Sequence, residues 1–318
     1  MEKKQLLFVL DDGYVQQLLV TLNSIFKHNH SESMVVNLVF SNISDNNLER
    51  IEAFICRNKA EFKTYRIDDE VLNTDFMVGT RWSSIVYHKL IGIFRMKGTT
   101  KVLYLDCDII VNGNLEELFE IEFEGKYVLA VEDTGLEQVL WDKYEHYHKL
   151  KLRHNASYIN AGVMMLNIQK IQEETSLEFM LNQFKQLHKR LVFNEQDLIN
   201  VLWQDKIKLV DHKYNRVATD FLYRKKIGKD KDVVIYHYTV NKPWSTELRD
   251  NPYAYSWCLD KYLEYMDFDE CSLLKEQIAK NNQNIGRRIK GKIKSRFSIN
   301  YGKPLLSGKW VDYLIYKL

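Results

Sequence analysis

The stretch Val102-Leu-Tyr-Leu-Asp-Cys-Asp-Ile-Ile-Val111 decides how this chain reads. An apolar run ends in two aspartates one residue apart, and a second apolar run follows. Such flanks indicate an extended segment buried in a sheet. On an extended backbone, side chains at i and i+2 point to the same side. Asp106 and Asp108 are therefore expected where a buried strand ends, a position suited to gripping a hard divalent cation. Oxygen ligands suit Mg2+ and Mn2+, which commonly bridge to substrate phosphates.

Working outward, Gln5 to Leu10 reads as the first strand. Tyr14 to His28 carries apolar residues at helical spacing (Leu18, Leu22, Ile25, Phe26). Met34 to Phe40 reads as strand, and Ser44 as the N-cap of a helix over 46–58, its side chain satisfying an orphan amide. Glu61 to Ile67 is a third strand, followed by a polar loop from Asp68 to Thr80. Trp82 to Lys97 reads as a helix ended by Gly98. Strand alternating with helix implies an α/β fold with a mostly parallel, doubly wound sheet. In such sheets ligands bind outside the carboxyl ends of the strands. Asp11 and Asp12 end the first strand, so both acidic pairs should approach one rim.

The second half is more mixed. Tyr127–Val131, Tyr158–Leu166 and Asp232–Tyr238 read as strands. Ile168–His188 and Asn194–Trp203 read as helices, and Asn251–Met266 is aromatic and helical. The aromatics from Tyr253 to Phe268 suit a core.

The 318 residues are 45% hydrophobic, enough for a substantial core, and only three prolines argue against long flexible linkers. The net charge of +2 hides an asymmetry, because from Lys280 onward ten basic residues stand against Asp312 alone. Cys56, Cys107, Cys258 and Cys271 show no paired spacing, which suits thiols in a reducing compartment. Met1 to Val9 lacks a signal-peptide pattern. No stretch is long and apolar enough to span a membrane. These features lead to the expectation of a cytoplasmic protein.

Five segments then form a pattern: Phe8-Val-Leu-Asp-Asp-Gly-Tyr14, Asp106-Cys-Asp108, Tyr158-Ile-Asn-Ala-Gly-Val-Met-Met-Leu-Asn167, Asn194-Glu-Gln-Asp-Leu-Ile-Asn200 and His237-Tyr-Thr-Val-Asn-Lys-Pro-Trp244. Their order and spacing resemble glycosyltransferase family 8, retaining enzymes of the GT-A fold that include bacterial lipopolysaccharide galactosyl- and glucosyltransferases. The resemblance covers roughly residues 5–260. It implies a UDP-glucose or UDP-galactose donor held by Mn2+, with Mg2+ as the alternative. By motif position, Asp106, Asp108 and His237 look like the metal ligands, and Asp106 also lies near ribose or sugar. Lys242 and Lys89 resemble basic residues that contact the diphosphate and donor. Asp11 and the backbone near Val9 would hold uridine; Asp133 and Asn160 would reach the sugar.

Gln196 matches the residue beneath the anomeric carbon, and Glu195 stands where close relatives often carry Asp, which hydrogen-bonds the sugar. An amide is a poor nucleophile, so same-face attack is expected, with Gln196 stabilising positive charge on the sugar. Two departures stand out. Gly13 replaces an asparagine common in the galactosyltransferase branch. The stretch from His237 to Lys242 is one residue shorter than the usual form and lacks its glycine. Loop 68–80 is assigned to the acceptor site by analogy alone.

Taken without the family, several of these residues have plainer readings. Asp11 suits a helix cap, Lys89 a surface lysine, and Glu195 first-turn helix decoration. The expected organisation is a catalytic domain over 1–270 and a basic region over 271–318. In that region Ile285, Ile289, Ile293 and Phe297 repeat at i, i+4 among Lys and Arg, the pattern of an interfacial amphipathic helix. Peripheral contact with an anionic membrane, on its inner face, is favoured over a solvated helix or nucleic-acid binding. The resemblance implies a cell-surface saccharide acceptor: a lipopolysaccharide core, a capsular repeat unit on a lipid carrier, or a glycosylated protein. Two other readings compete: a haloacid-dehalogenase-type phosphatase, which also uses Asp-x-Asp after a strand, and a non-catalytic sugar-nucleotide or lipid-binding module. About 100 residues of α/β structure precede the pair here, which disfavours the phosphatase.

Overall fold

The computed structural model describes residues 2–67, 85–133, 143–153, 156–217, 232–239, 242–244, 260–267 and 269–277. The described residues through 267 fall in one compact unit; the helical segment 269–277 belongs to a second.

The first half is a βα alternation: β1 (Lys4–Val9), α1 (Val15–His28), β2 (Met34–Phe40), α2 (Asp45–Arg57), β3 (Glu61–Arg66), α3 (Ile85–Arg95) and β4 (Val102–Leu105). These four strands run parallel. Then follow β5 (Ile109–Val111), α4 (Glu116–Glu120), β6 (Val128–Glu132), α5 (Lys143–Leu150), β7 (Ile159–Leu166), α6 (Ile168–Glu174), α7 (Leu177–Leu187), α8 (Asn194–Trp203), β8 (Ile207–Leu209), β9 (Arg216–Val217) and β10 (Ile235–His237). The main sheet has the order β3-β2-β1-β4-β7-β6-β8, with β7 antiparallel to both neighbours. A second sheet has the order β5-β10-β9.

Alternation along β1 feeds two cores. Leu6 and Phe8 pack with α1 and α2, whereas Leu7 and Val9 pack with residues of α3 and β2. Side chains on a strand point alternately to either face, so a strand covered on both sides reads as a continuous apolar run. Burying each of these large side chains contributes roughly 1.5–3 kcal/mol.

Three expectations change. Val102–Val111 is not one strand: β4 belongs to the main sheet and β5 to the second, and Asp106-Cys107-Asp108 is the crossover between them. Helix α1 holds that crossover from behind. The buried Thr21 hydroxyl faces the carbonyls of Cys107 and Ile109 at 3.0 and 2.9 Å, and Ser24 Oγ accepts from Val111 N. Ser44 does precede α2, but its side chain makes no capping bond. Its hydroxyl and amide donate instead to Asp12 Oδ1, which also accepts from Asn47. Asp12 therefore ties α2 to the end of β1. Ile168–His188 is two helices, because Thr175 is extended and Ser176 caps α7 by accepting from Phe179 N at 3.1 Å.

The strand expected over Asp232–Tyr238 shortens to β10, and β8, β9, α4 and α5 had no counterpart in the sequence reading. Of the aromatic helix expected over Asn251–Met266, residues 260–263 are helical and 251–259 lie outside the described residues. The loop at 68–80 and the tail from 278 also lie outside them, as does the part of the third helix expected before Ile85.

Candidate active site

Because β1 and β4 are parallel, their carboxyl ends share a rim. Val9 closes β1 there, and Asp11 follows, its Oδ1 accepting from Gly13 N at 3.0 Å in a cap of the turn 12–14. Asp11 thus caps this short turn, whereas α1 itself starts after Tyr14 without a side-chain cap.

Asp106 and Asp108 converge with His237 from β10. One ligand atom from each lies within 4.8 Å of the other two, and these three form the metal-capable group found among the described residues. His237 Nε2 is 3.2 Å from Asp108 Oδ1 and 3.7 Å from Asp106 Oδ2. Pairing of His237 with Ile109 across β10 and β5 brings a residue 129 positions from Asp108 beside it. Asp108 is buried, and its Oδ1 has no hydrogen-bond partner. Burial alone would raise its carboxyl; the neighbouring His237 and Lys242 overcome that and hold it well below the carboxylate range. A buried carboxylate oxygen without a donor, facing an imidazole nitrogen, fits a divalent cation in its donor set.

Lys242 bonds Asp108 Oδ2 directly and donates to the Tyr238 carbonyl at 2.7 Å. The two residues that precede it in the shortened turn, Val240 and Asn241, lie outside the described residues. Lys89, on α3, is no surface lysine. It is 3% exposed, bonds Glu195 Oε1 and the Ala161 carbonyl at 3.1 Å, and lies 3.7 Å from Asp106 Oδ1. Burial disfavours its charge, but Asp106 and Glu195 outweigh that and raise its pKa. Tyr104 donates to Asp106 Oδ1 at 2.5 Å beneath the same ammonium.

A second group lies along β7 and α8. Gln196 accepts from Ala161 N at 3.0 Å and donates to Asp133 Oδ2 at 2.9 Å. Asn160 donates to the same Asp133 oxygen at 3.3 Å. Behind Gln196, buried Asp197 accepts from Tyr158, from His146 and from the amides of Val192 and Phe193.

Sequence reasoning missed Thr21, Tyr104, Asp197 and Asn215. At Gly162 the His237 ring fills the space a side chain would need.

The fold is GT-A-like, and Asp106, Asp108 and His237 form a candidate cation position on its rim. The family model "Glycosyl transferase family 8" matches residues 5–247. A lipopolysaccharide 1,2-glucosyltransferase of Escherichia coli is 25% identical over 253 residues, 74% of this chain and 71% of that protein. A putative glycosyltransferase of Haemophilus influenzae is 30% identical over 153 residues, 47% of this chain and 45% of that one. Among solved structures, the galactosyltransferase LgtC in complex with donor and acceptor sugar analogues shares the fold, with a TM-score of 0.68 at 20% identity over 82% of this chain and 94% of that one. The chain belongs to glycosyl transferase family 8 and is a glycosyltransferase. The phosphatase and non-catalytic readings fall with that assignment.

Proposed function

We propose that this enzyme moves glucose or galactose from a UDP-sugar to a saccharide acceptor of a cell-surface glycan, with retention at the anomeric carbon. The observation that carries the reading is the convergence of Asp106, Asp108 and His237 on the rim that also bears Asp133, Asn160 and Gln196. The name of the Escherichia coli relative supports a lipopolysaccharide-type acceptor and a hexosyl donor.

Asp106, Asp108 and His237 would hold the cation, Mn2+ in preference to Mg2+ because an imidazole joins two carboxylates. When bound, such an ion stabilises the diphosphate leaving group. Lys242 and Lys89 supply fixed positive charge on the same side, where negative charge grows as the bond to phosphate breaks. Val9 and Asp11 are assigned to uridine, and Asp133 and Asn160 to the sugar hydroxyls.

The acceptor hydroxyl attacks the anomeric carbon on the face that the diphosphate leaves, and its proton passes to the departing phosphate oxygen. Gln196 is assigned to the opposite face of the sugar, where its amide would stabilise the positive charge. The Lys89–Glu195 bond supports a positioning role for Glu195, since its carboxylate is already engaged. Mass-spectrometric trapping of a glycosyl group on Glu195 would overturn this route.

No helix among the described residues is long and apolar enough to cross a membrane. The i, i+4 apolar line and basic residues of 280–318 support docking of the enzyme on the anionic inner face of the cell membrane, near lipid-linked acceptors. Each basic residue near such a surface contributes about 1 kcal/mol. Deleting 280–318 should abolish liposome binding; unchanged binding refutes the assignment.

The main test is a Mn2+-dependent hydrolysis and transfer screen over UDP-sugars, with Asp108→Ala alongside. Turnover with UDP-glucose or UDP-galactose that needs Mn2+ and vanishes in the variant supports the reading. No binding or turnover with any UDP-sugar overturns it.

A further inference from the structure

The two halves of the site are joined by a hydrogen-bond chain that passes through a residue outside every recognised motif. Asn215 is 3% exposed, in the turn that leads into β9. Its side chain lies between His237 and Asn160, with Oδ1 3.0 Å from His237 Nδ1 and Nδ2 2.9 Å from Asn160 Oδ1.

Amide and imidazole orientations are ambiguous when seen singly. Here a group without that freedom fixes them. The Gly162 backbone N–H can only donate, and it donates to Asn160 at 3.0 Å. Asn160 therefore presents its oxygen there. Asn215 must present its NH2 to that same oxygen, which turns its own oxygen toward His237. Nδ1 of His237 then carries the proton. In the neutral ring, which holds one N–H, Nε2 then has the lone pair that a cation needs. Nε2 is the atom that faces Asp108 Oδ1 and Asp106 Oδ2.

We infer that Asn215 is a positioning residue that locks His237 in the Nδ1–H tautomer and so presets Nε2 as a metal ligand. The inference rests on the cation site proposed above. Histidines that ligate metals generally donate their second ring N–H to a carbonyl or carboxylate, which fixes both ring and tautomer. Asn215 supplies that acceptor. Its other end ties His237 through Asn160 to Asp133, the carboxylate that Gln196 also bonds. The ring that would hold the cation is thus oriented by the residues assigned to the sugar.

Two variants of the full chain separate this role from plain packing. Asn215→Leu removes both bonds. Asn215→Asp keeps an acceptor for Nδ1–H but sets a second acceptor against Asn160 Oδ1, so it loses stability while still orienting the ring. Mn2+ affinity is read by paramagnetic resonance titration and stability by Tm. The tautomer is read by nitrogen-15 NMR of the metal-free protein, with His237 assigned by its loss in His237→Gln.

The expected result is that Asn215→Leu weakens Mn2+ binding about 10–100-fold, while Asn215→Asp stays near wild type although its Tm falls. The metal-free wild type should show a proton on Nδ1 of His237, whether or not Nε2 also carries one. An Nδ1 without its proton there, wild-type affinity in Asn215→Leu, or affinity that simply follows Tm in both variants overturns the inference. Absence of Mn2+ binding in the wild type refutes the cation reading instead, and the metal-free spectra then judge the role of Asn215 by themselves.

Discussion

The backbone of Gly162 lies so close to His237 that a β-carbon there would overlap the imidazole edge and sit 2.7 Å from Asp106 Oδ2. Gly162→Ala must displace His237 or Asp106, since the strand backbone of β7 is pinned by pairing with β4. Overpacking of this kind costs about 1–3 kcal/mol. The variant should remain folded with a lowered Tm and lose most metal-dependent turnover. Thermal melting together with Mn2+ titration checks this; wild-type Mn2+ affinity would show that the ring has room to move.

Thr21 supports the same centre from the opposite side. Its hydroxyl lies within hydrogen-bond reach of the carbonyls on either side of Asp108. Thr21→Val keeps the shape but removes the donor from two buried carbonyls, a loss of about 1–3 kcal/mol. Thr21→Ser should restore most of it. Urea midpoints measure both variants, and equal stability of Val and Ser would contradict the argument.

Asp197 gives the fold an acid-sensitive point. Burial pushes its carboxyl up, but bonds from His146, Tyr158 and the Phe193 and Val192 amides prevail and hold it below 3.8. A carboxylate depressed in the folded state contributes stability above its unfolded pKa, and that contribution is lost as pH falls through the folded value. Asp197→Asn removes it and leaves buried donors unmatched. The stability gap to wild type should be constant above about pH 5 and narrow below about pH 4. Urea midpoints across that range test it; a gap independent of pH would place the stabilisation elsewhere.

Ser176 separates α6 from α7, so Ser176→Ala should cost about 1 kcal/mol, the usual loss for an N-cap. Turnover should not change, because the Ser176 bond is local to the first turn of α7 and involves none of the residues assigned to the site. Equilibrium unfolding and a steady-state assay decide the two halves of that statement.

What the sequence disclosed followed physical range. β1 and β2 were legible because short apolar runs bounded by turn signals are local, and β3 because its apolar and polar residues alternate. Asp106 and Asp108 were legible because two carboxylates interrupt an apolar run. The change of sheet between them was not, since β4 and β5 are both buried and equally apolar. The break at Ser176 does have a local signal, because Gln172 to Ser176 are all polar and Ser176 is an N-cap residue type. Thr21, Tyr158 and Asn215 act on partners 86, 39 and 22 residues away. No local pattern marks a hydroxyl or amide whose partner is set by tertiary packing.

Lys89 and Glu195 carry the last prediction, because their bond joins α3 to α8 under the site. Lys89→Met leaves Glu195 and Asp106 facing each other without a cation, and breaking a buried pair in this way costs about 3–5 kcal/mol. Glu195→Gln should cost less, since Asp106 remains 3.7 Å from the ammonium. The double variant should be more stable than the sum of the single effects by about 0.5–3 kcal/mol, because residues in contact do not behave independently. Urea unfolding of all four proteins measures that coupling. Strict additivity would mean that Asp106 alone sustains the buried charge, and that Glu195 is free to face the sugar.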